Sequence, residues 1–144
     1  MNTTLSTTEK IDILGRARIF HSVSYESLEH IASLSDQSSY SPDEIICEVG
    51  DPANHVCIIA EGTVAVTTTA LNEPSHTMSR GDIFGEYGMF NEGIRTAKLT
   101  SCAETLVLTI HYDQFKSFLS TDASACLAIL EETVQRLLKA ESDN

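Results

Sequence analysis

Positive charge is scarce in this sequence: nine lysines and arginines stand against 21 aspartates and glutamates, a formal net charge of −12. Proteins that bind DNA or RNA draw most of their affinity from neutralising phosphates with Lys and Arg, so nucleic acid is not an expected partner. The four cysteines, Cys47, Cys57, Cys102 and Cys126, are far apart and form no Cys-x-x-Cys pair, which argues against a zinc or dithiol centre. Cys57 lies in the apolar run Val56-Cys57-Ile58-Ile59, where a free thiol acts as a small hydrophobe and suits a reducing compartment. His21, His30, His55, His76 and His111 are scattered without the spacing of a metal clamp, so no metal is expected. No apolar run approaches the ~18 residues a membrane helix needs, and residues 1–5 lack the basic and apolar regions of a signal peptide. The expectation is a cytoplasmic protein with no membrane partner. Also lacking are a Gly-x-Ser-x-Gly elbow, a Walker Gly-Lys-Ser/Thr and a dinucleotide-binding glycine pattern. Asp82 and Glu86 come nearest to a carboxylate pair, but a turn aspartate capping its own loop accounts for Asp82 more simply. An enzyme is therefore not expected.

What is present is a stretch from Gly81 to Ala97 with glycines at 81, 85, 88 and 93. Glycine lets backbone turn sharply and approach a ligand with no Cβ in the way, so the amides here are free to face an anion. Glu86 to Phe90 is long enough for one helical turn, whose first amides favour phosphate. Arg95 supplies full positive charge, with two donors in a fork that matches two phosphate oxygens, and Thr96 adds a hydroxyl. Glu86 is out of place beside a phosphate unless its carboxylate meets a neutral donor, and a ribose 2′-OH fits that need. The alternative for the same two residues is a Glu86–Arg95 ion pair on a surface turn.

Elsewhere the pattern is helical at both ends and β-rich between. Ser6-Thr7-Thr8-Glu9 fits a capping box for a first helix over 7–19, and Ser24 fits an N-cap, with Val23 and Leu28 as a staple, for a second helix ending near Ser35. From Ser38 short β-rich runs follow, at Ile45 to Val49, His55 to Ala60, Thr63 to Thr69, Ser75 to Ser79, Ala97 to Ser101 and Thr105 to Ile110, with turns at Gly50-Asp51-Pro52 and Glu61-Gly62. Many short strands at regular spacing suggest a sandwich or rolled barrel. Tyr112, Phe115, Phe118 and Leu119 make an apolar stripe on a helix, and Leu127, Leu130, Val134, Leu137 and Leu138 another, from about Asp122 to Ala140. At 144 residues and 42% hydrophobic, the chain is expected to be one domain, 1–144, with a helical N-terminal part at 7–35, a β-roll at 38–111 and C-terminal helices at 112–140.

Gly-Asp, then Phe-Gly-Glu, then nine residues from Glu86 to Arg95 in Arg-Thr-Ala, resembles the phosphate-binding cassette of cyclic nucleotide-binding domains. The inner run Gly-Glu-Tyr-Gly-Met-Phe-Asn-Glu-Gly looks much like that of the bacterial catabolite activators, and the cyclic nucleotide-dependent kinases share the pattern. Arg80 and Ile94 stand where many members have proline. The resemblance implies a mainly β fold, an antiparallel, jelly-roll-like β-roll with flanking N-terminal and C-terminal α-helices. It implies a regulatory sensor for cyclic AMP or cyclic GMP, with no cofactor, that signals by hinge motion of the C-terminal helix to an effector protein not identified by the sequence. Its ligand set would be Arg95, Thr96 and the amides from Gly85 through Tyr87 to Gly88 on the phosphate, with Ala97 closing the cassette. Glu86 would hold the ribose, and Val66, Met78 and Ile83 would flank the base. Arg136 falls at the place of a lid residue, with a solvated pairing to Glu132 as its alternative. The alternative for the whole chain is a degenerate fold that serves as a protein-interaction scaffold, and a homodimer through the last helix is compatible with either.

Overall fold

The computed structural model describes residues 4–68, 76–90 and 93–142. Helix α1 (Thr7–Arg16) begins where Ser6 accepts from the Glu9 amide and the Glu9 side chain accepts from the Ser6 amide, the reciprocal box expected from the sequence. It stops earlier than 19. Ala17 turns extended, and a tight turn at Arg18–Phe20 swings Ile19 and Phe20 into the core, where Phe20 meets Phe115 edge to face at 5.9 Å. Helix α2 (Tyr25–Leu34) is capped by Ser24, which accepts from the Ser27 amide, and ends at Ser35.

Eight antiparallel strands follow among the described residues: β1 (Asp36–Tyr40), β2 (Ile45–Cys47), β3 (His55–Glu61), β4 (Val64–Thr68), β5 (His76–Met78), β6 (Ile83–Phe84), β7 (Ala97–Ser101) and β8 (Thr105–His111). They form two four-stranded sheets, in the orders β1-β8-β3-β6 and β2-β7-β4-β5, and with the flanking helices they make the β-roll. Strand β1 was not among the expected strands. Its sequence, Asp-Gln-Ser-Ser-Tyr, is polar because it is an edge strand held by its register against β8, Asp36 opposite Thr109 through Tyr40 opposite Thr105. Strand β2 ends at Cys47, short of Val49, with an irregular register against β7 and Gly50 in the left-handed region at φ 88. Thr69 and Ser75, the outer ends of two expected strands, lie outside the described residues.

Strands β3 and β8 lie at the centre of their sheet and are buried on both faces. Side chains alternate across a strand, so Val56, Ile58 and Ala60 join Leu106, Leu108 and Ile110 in the core beneath the helices. Cys57, Ile59 and Val107 face the other way, into the space between the sheets, with Val64, Val66 and Leu99. That explains why the two strands read as continuous apolar runs. At roughly 25 cal/mol per Å² of apolar surface, each fully buried Ile or Leu here contributes about 1.5–3 kcal/mol. Helix α3 (Tyr112–Thr121) follows β8 without a loop, and α4 (Ala123–Ser142) runs slightly past the expected end.

Gly62, at φ 99, has no room for a side chain: a Cβ there would meet the Glu104 carbonyl oxygen at 2.6 Å and Thr105 Cα at 2.7 Å. Gly62→Ala is expected to lower unfolding free energy by at least ~2 kcal/mol, strain and overpacking together. Gly50→Ala, at φ 88 with nothing within 4 Å, should cost only about 1 kcal/mol. Urea melts of the two variants measure the difference, and equal losses would show that the Gly62 turn relaxes freely.

Candidate functional site

The loop after β6 is built by short-range backbone bonds. The Asp82 carboxylate accepts from the Ser79 amide at 2.8 Å, the self-capped turn foreseen for it. Gly85 then takes φ 85, and Tyr87–Met89 makes one turn of helix, as the interval from Glu86 to Phe90 predicted. Past Gly93 the chain returns against the β2–β3 connection: Gly50 donates to the Arg95 carbonyl and Arg95 donates to the Asp51 carbonyl, both at 2.9 Å. These two bonds fix the Arg95 backbone and leave its side chain directed inward.

The guanidinium sits 5.8 Å over the Phe84 ring, and its Nη2 donates to the His55 carbonyl at 3.3 Å. It occupies a notch that glycine leaves open, since a Cβ on Gly85 would meet Arg95 Nη1 and lie 2.7 Å from the His55 oxygen. Nη2 also lies 3.9 Å from Cys57 Sγ, and burial drives that thiol up to about 12, so Cys57 is a neutral, inert neighbour.

A cavity of about 210 Å³ opens beside the guanidinium. Its wall contains Gly85, Glu86, Gly88, Arg95 and Thr96 from the loop and Val66, Met78, Ile83 and Ala97 from the strands, so these nine residues named from the sequence share one space. The Tyr87 side chain lies outside the described residues, and Arg136 is not in the wall. Among the wall residues that sequence reasoning missed are Cys47, His76, Leu99 and Tyr112. The first three belong to one row across the second sheet, because Cys47 is opposite Leu99, Leu99 opposite Val66 and Val66 opposite His76. Strand pairing was the signal that would have found them from Val66.

Glu86 and Arg95 do not form an ion pair. Glu86 Oε2 is inaccessible to solvent and has no hydrogen-bond partner. Burial pushes the Glu86 carboxyl above the usual range, partly offset by its own backbone amide and by the charges of Arg136 and Arg95. Arg136 on α4 therefore carries its charge toward this carboxylate, while Glu132 accepts from Ser22 Oγ at 3.2 Å. An inaccessible acceptor and a forked cation, in one small apolar-lined space, suit a ligand with a neutral hydroxyl on one side and an anion on the other. No group of three or more metal-ligating side chains occurs among the described residues, and no helix there is long and apolar enough to cross a membrane.

Residues 37–122 match the family model for the cyclic nucleotide-binding domain. The chain is 30% identical over 112 residues to cGMP-dependent protein kinase isozyme 1 of Drosophila melanogaster, covering 74% of this chain and 15% of the kinase. It is 22% identical to the CRP-like cAMP-activated global transcriptional regulator of Mycobacterium tuberculosis, over 92% of this chain and 60% of that protein. The fold superposes with a TM-score of 0.80 on the crystal structure of the N-terminal domain of a transcriptional regulator from Streptomyces coelicolor A3(2), at 21% identity and covering 92% and 94% of the two chains. The chain thus spans only part of the kinase and of the mycobacterial regulator.

Because the folded-state carboxyl of Glu86 is raised, its ionised form disfavours folding. The penalty is full above the folded-state value and vanishes once pH falls below the ordinary carboxylate range, where both states are protonated. Glu86→Gln is expected to melt at a higher temperature than the parent near pH 7, with nucleotide removed, and the gap should close toward about pH 4. Equal melting temperatures at neutral pH would mean that the carboxylate carries no burial penalty.

Proposed function

The chain belongs to the cyclic nucleotide-binding domain family, and on that premise we propose that it is a regulatory sensor that binds cyclic AMP or cyclic GMP in the cavity beside Arg95. The observation that carries the reading is that one wall brings together the Arg95 guanidinium and Glu86, a carboxylate with one oxygen that has no hydrogen-bond partner. Arg95, Thr96 and the amides from Gly85 through Tyr87 to Gly88 hold the cyclic phosphate, with Ala97 closing the loop. Glu86 accepts from the ribose 2′-OH, and Val66, Met78 and Ile83 flank the base. The acidic chain repels an anion overall, so the attraction is local, from Arg95 and oriented amides. The function is signalling and not catalysis: α4 moves at its junction with α3 and passes the occupied state to an effector protein, one chain acting as a single domain over 1–144 in the cytoplasm. Arg136 is the lid residue that approaches Glu86 in the occupied state.

The outer face of α4 supports a second element of this reading. Leu127, Leu130, Val134 and Leu137 are all exposed, at intervals of three, four and three, the spacing of a coiled-coil seam. We propose that this face pairs with the same face of a second copy. Sedimentation of the parent should show a concentration-dependent dimer, and Leu130→Glu with Leu137→Glu should sediment as a folded monomer whose melting temperature does not depend on concentration. A parent that stays monomeric at high concentration would remove the dimer.

Isothermal titration with cyclic AMP and cyclic GMP in parallel tests the ligand. Binding of one of them at the micromolar level, about −8 kcal/mol, is the expected result. Arg95→Ala should weaken it roughly 10- to 150-fold, the loss of a charge-assisted bidentate contact. A folded parent that binds neither nucleotide would leave the interaction scaffold as the better reading, and an unchanged affinity in the variant would remove Arg95 from the site.

A further inference from the structure

Tyr112 is the first residue of α3, nearly buried, with its amide donating to the Asn54 carbonyl at 2.8 Å. Its hydroxyl donates to the Gly85 carbonyl, 27 residues earlier in the chain. A trans peptide unit points its C=O and N–H in opposite directions, so a partner that fixes the Gly85 oxygen also fixes the Glu86 amide. That amide faces the Glu86 carboxylate. On its other side the Tyr112 hydroxyl lies beside the Arg95 guanidinium, and the ring itself forms part of the cavity wall. One phenol thus bonds to the peptide that precedes the carboxylate and lies beside the guanidinium.

We propose that Tyr112 is a positioning residue for the ligand: by holding the Gly85–Glu86 peptide it keeps Glu86 aimed into the cavity and apart from Arg95. The inference rests on the reading of the cavity as a cyclic nucleotide site. Released from Tyr112, the peptide is free to rotate, and the carboxylate and guanidinium are free to pair with each other in place of the ligand. Gly88 supplies an independent handle. Its backbone is not in the left-handed region, so alanine is conformationally tolerated, yet a Cβ there would stand 2.5 Å from Tyr112 Oη and 3.4 Å from Cζ. The added methyl group displaces the hydroxyl and leaves little else to move.

The experiment titrates the parent, Tyr112→Phe, Gly88→Ala and the double variant with the better-binding cyclic nucleotide and with its 2′-deoxy analogue, each protein checked by its melting curve. Tyr112→Phe should weaken binding roughly tenfold, the order of one lost hydrogen bond at a charged group, and should reduce discrimination against the 2′-deoxy analogue. Loss of fold stability alone would weaken both ligands equally and leave discrimination intact. Gly88→Ala should reproduce the effect in the parent and add little on top of Tyr112→Phe, where no hydroxyl remains to displace. A parent that binds neither ligand overturns the site reading and this inference together. A parent that binds, with Tyr112→Phe discriminating as well as the parent does, overturns the role of Tyr112 alone. If Tyr112→Phe fails to fold, Gly88→Ala decides by the same criterion.

Discussion

The arrangement of the site depends on a guanidinium seated in a notch that only glycine leaves open. Gly85, in the left-handed region, lets Arg95 come against the loop, and a side chain at 85 would take the space of the guanidinium. A part-buried arginine is costly to the extent that its donors lack acceptors and its charge lacks a counterpart. Here one donor is met by the His55 carbonyl and the plane is covered by Phe84, while no carboxylate among the described residues pairs with it. Its charge is thus left without a paired carboxylate, as the proposed anionic ligand requires. Burial keeps the thiol beside the guanidinium neutral, so Cys57 does not satisfy the cation internally.

Rigidity behind that notch comes from two strands with two faces. His55 opens β3 and supplies the carbonyl that holds Arg95, and β3 is clamped along its length by β8. One face of each packs beneath the helices and the other into the space between the sheets. The site is therefore attached to the best-packed part of the fold, whereas the loop that completes it is short and turns on glycines. A firm base with a rim built from turns is a natural division for a protein whose ligand must enter and be held.

Local chemistry was legible in the sequence. The Ser6 box, the Ser24 cap, the end of α2 at Ser35, strand β7 and the single turn after Glu86 are each specified by a few neighbouring residues, and each lies where those residues place it. Features that depend on pairing were not legible. Strand β1 is polar and is a strand only because β8 lies beside it. Helix α1 ends at Arg16 because burial of Ile19 and Phe20 outweighs the continuation of its apolar face. Nine residues of the cavity wall were readable because the loop motif is contiguous and resembles the family's cassette, a resemblance that also implied Val66, Met78 and Ile83 beside the base. Cys47, His76 and Leu99 were not, because they enter through cross-strand register. Tyr112 looked like one more member of an apolar helical stripe, and its hydroxyl acquires a partner only when the roll closes.

The electrostatics of Glu86 connect this static geometry to the proposed signal. Two cations favour its charged form, Arg136 from α4 and Arg95 from the loop, and burial opposes it. A cyclic phosphate would draw on the Arg95 charge, leaving Arg136 as the counter-charge nearest in effect to the carboxylate. The near end of α4 is anchored, with Ala125 buried and Asp122 accepting both from Ser27 Oγ on α2 at 2.6 Å and from the Ala125 amide at 3.0 Å. Arg136 lies more than two turns beyond that anchor, on the part of the helix whose leucines are exposed. A shift in the charge balance at Glu86 would then act on the far half of α4 while its root stays fixed. A ligand biases a two-state element only by its difference in affinity for the two states, and a counter-charge carried on the helix proposed to move is one physical source of such a difference.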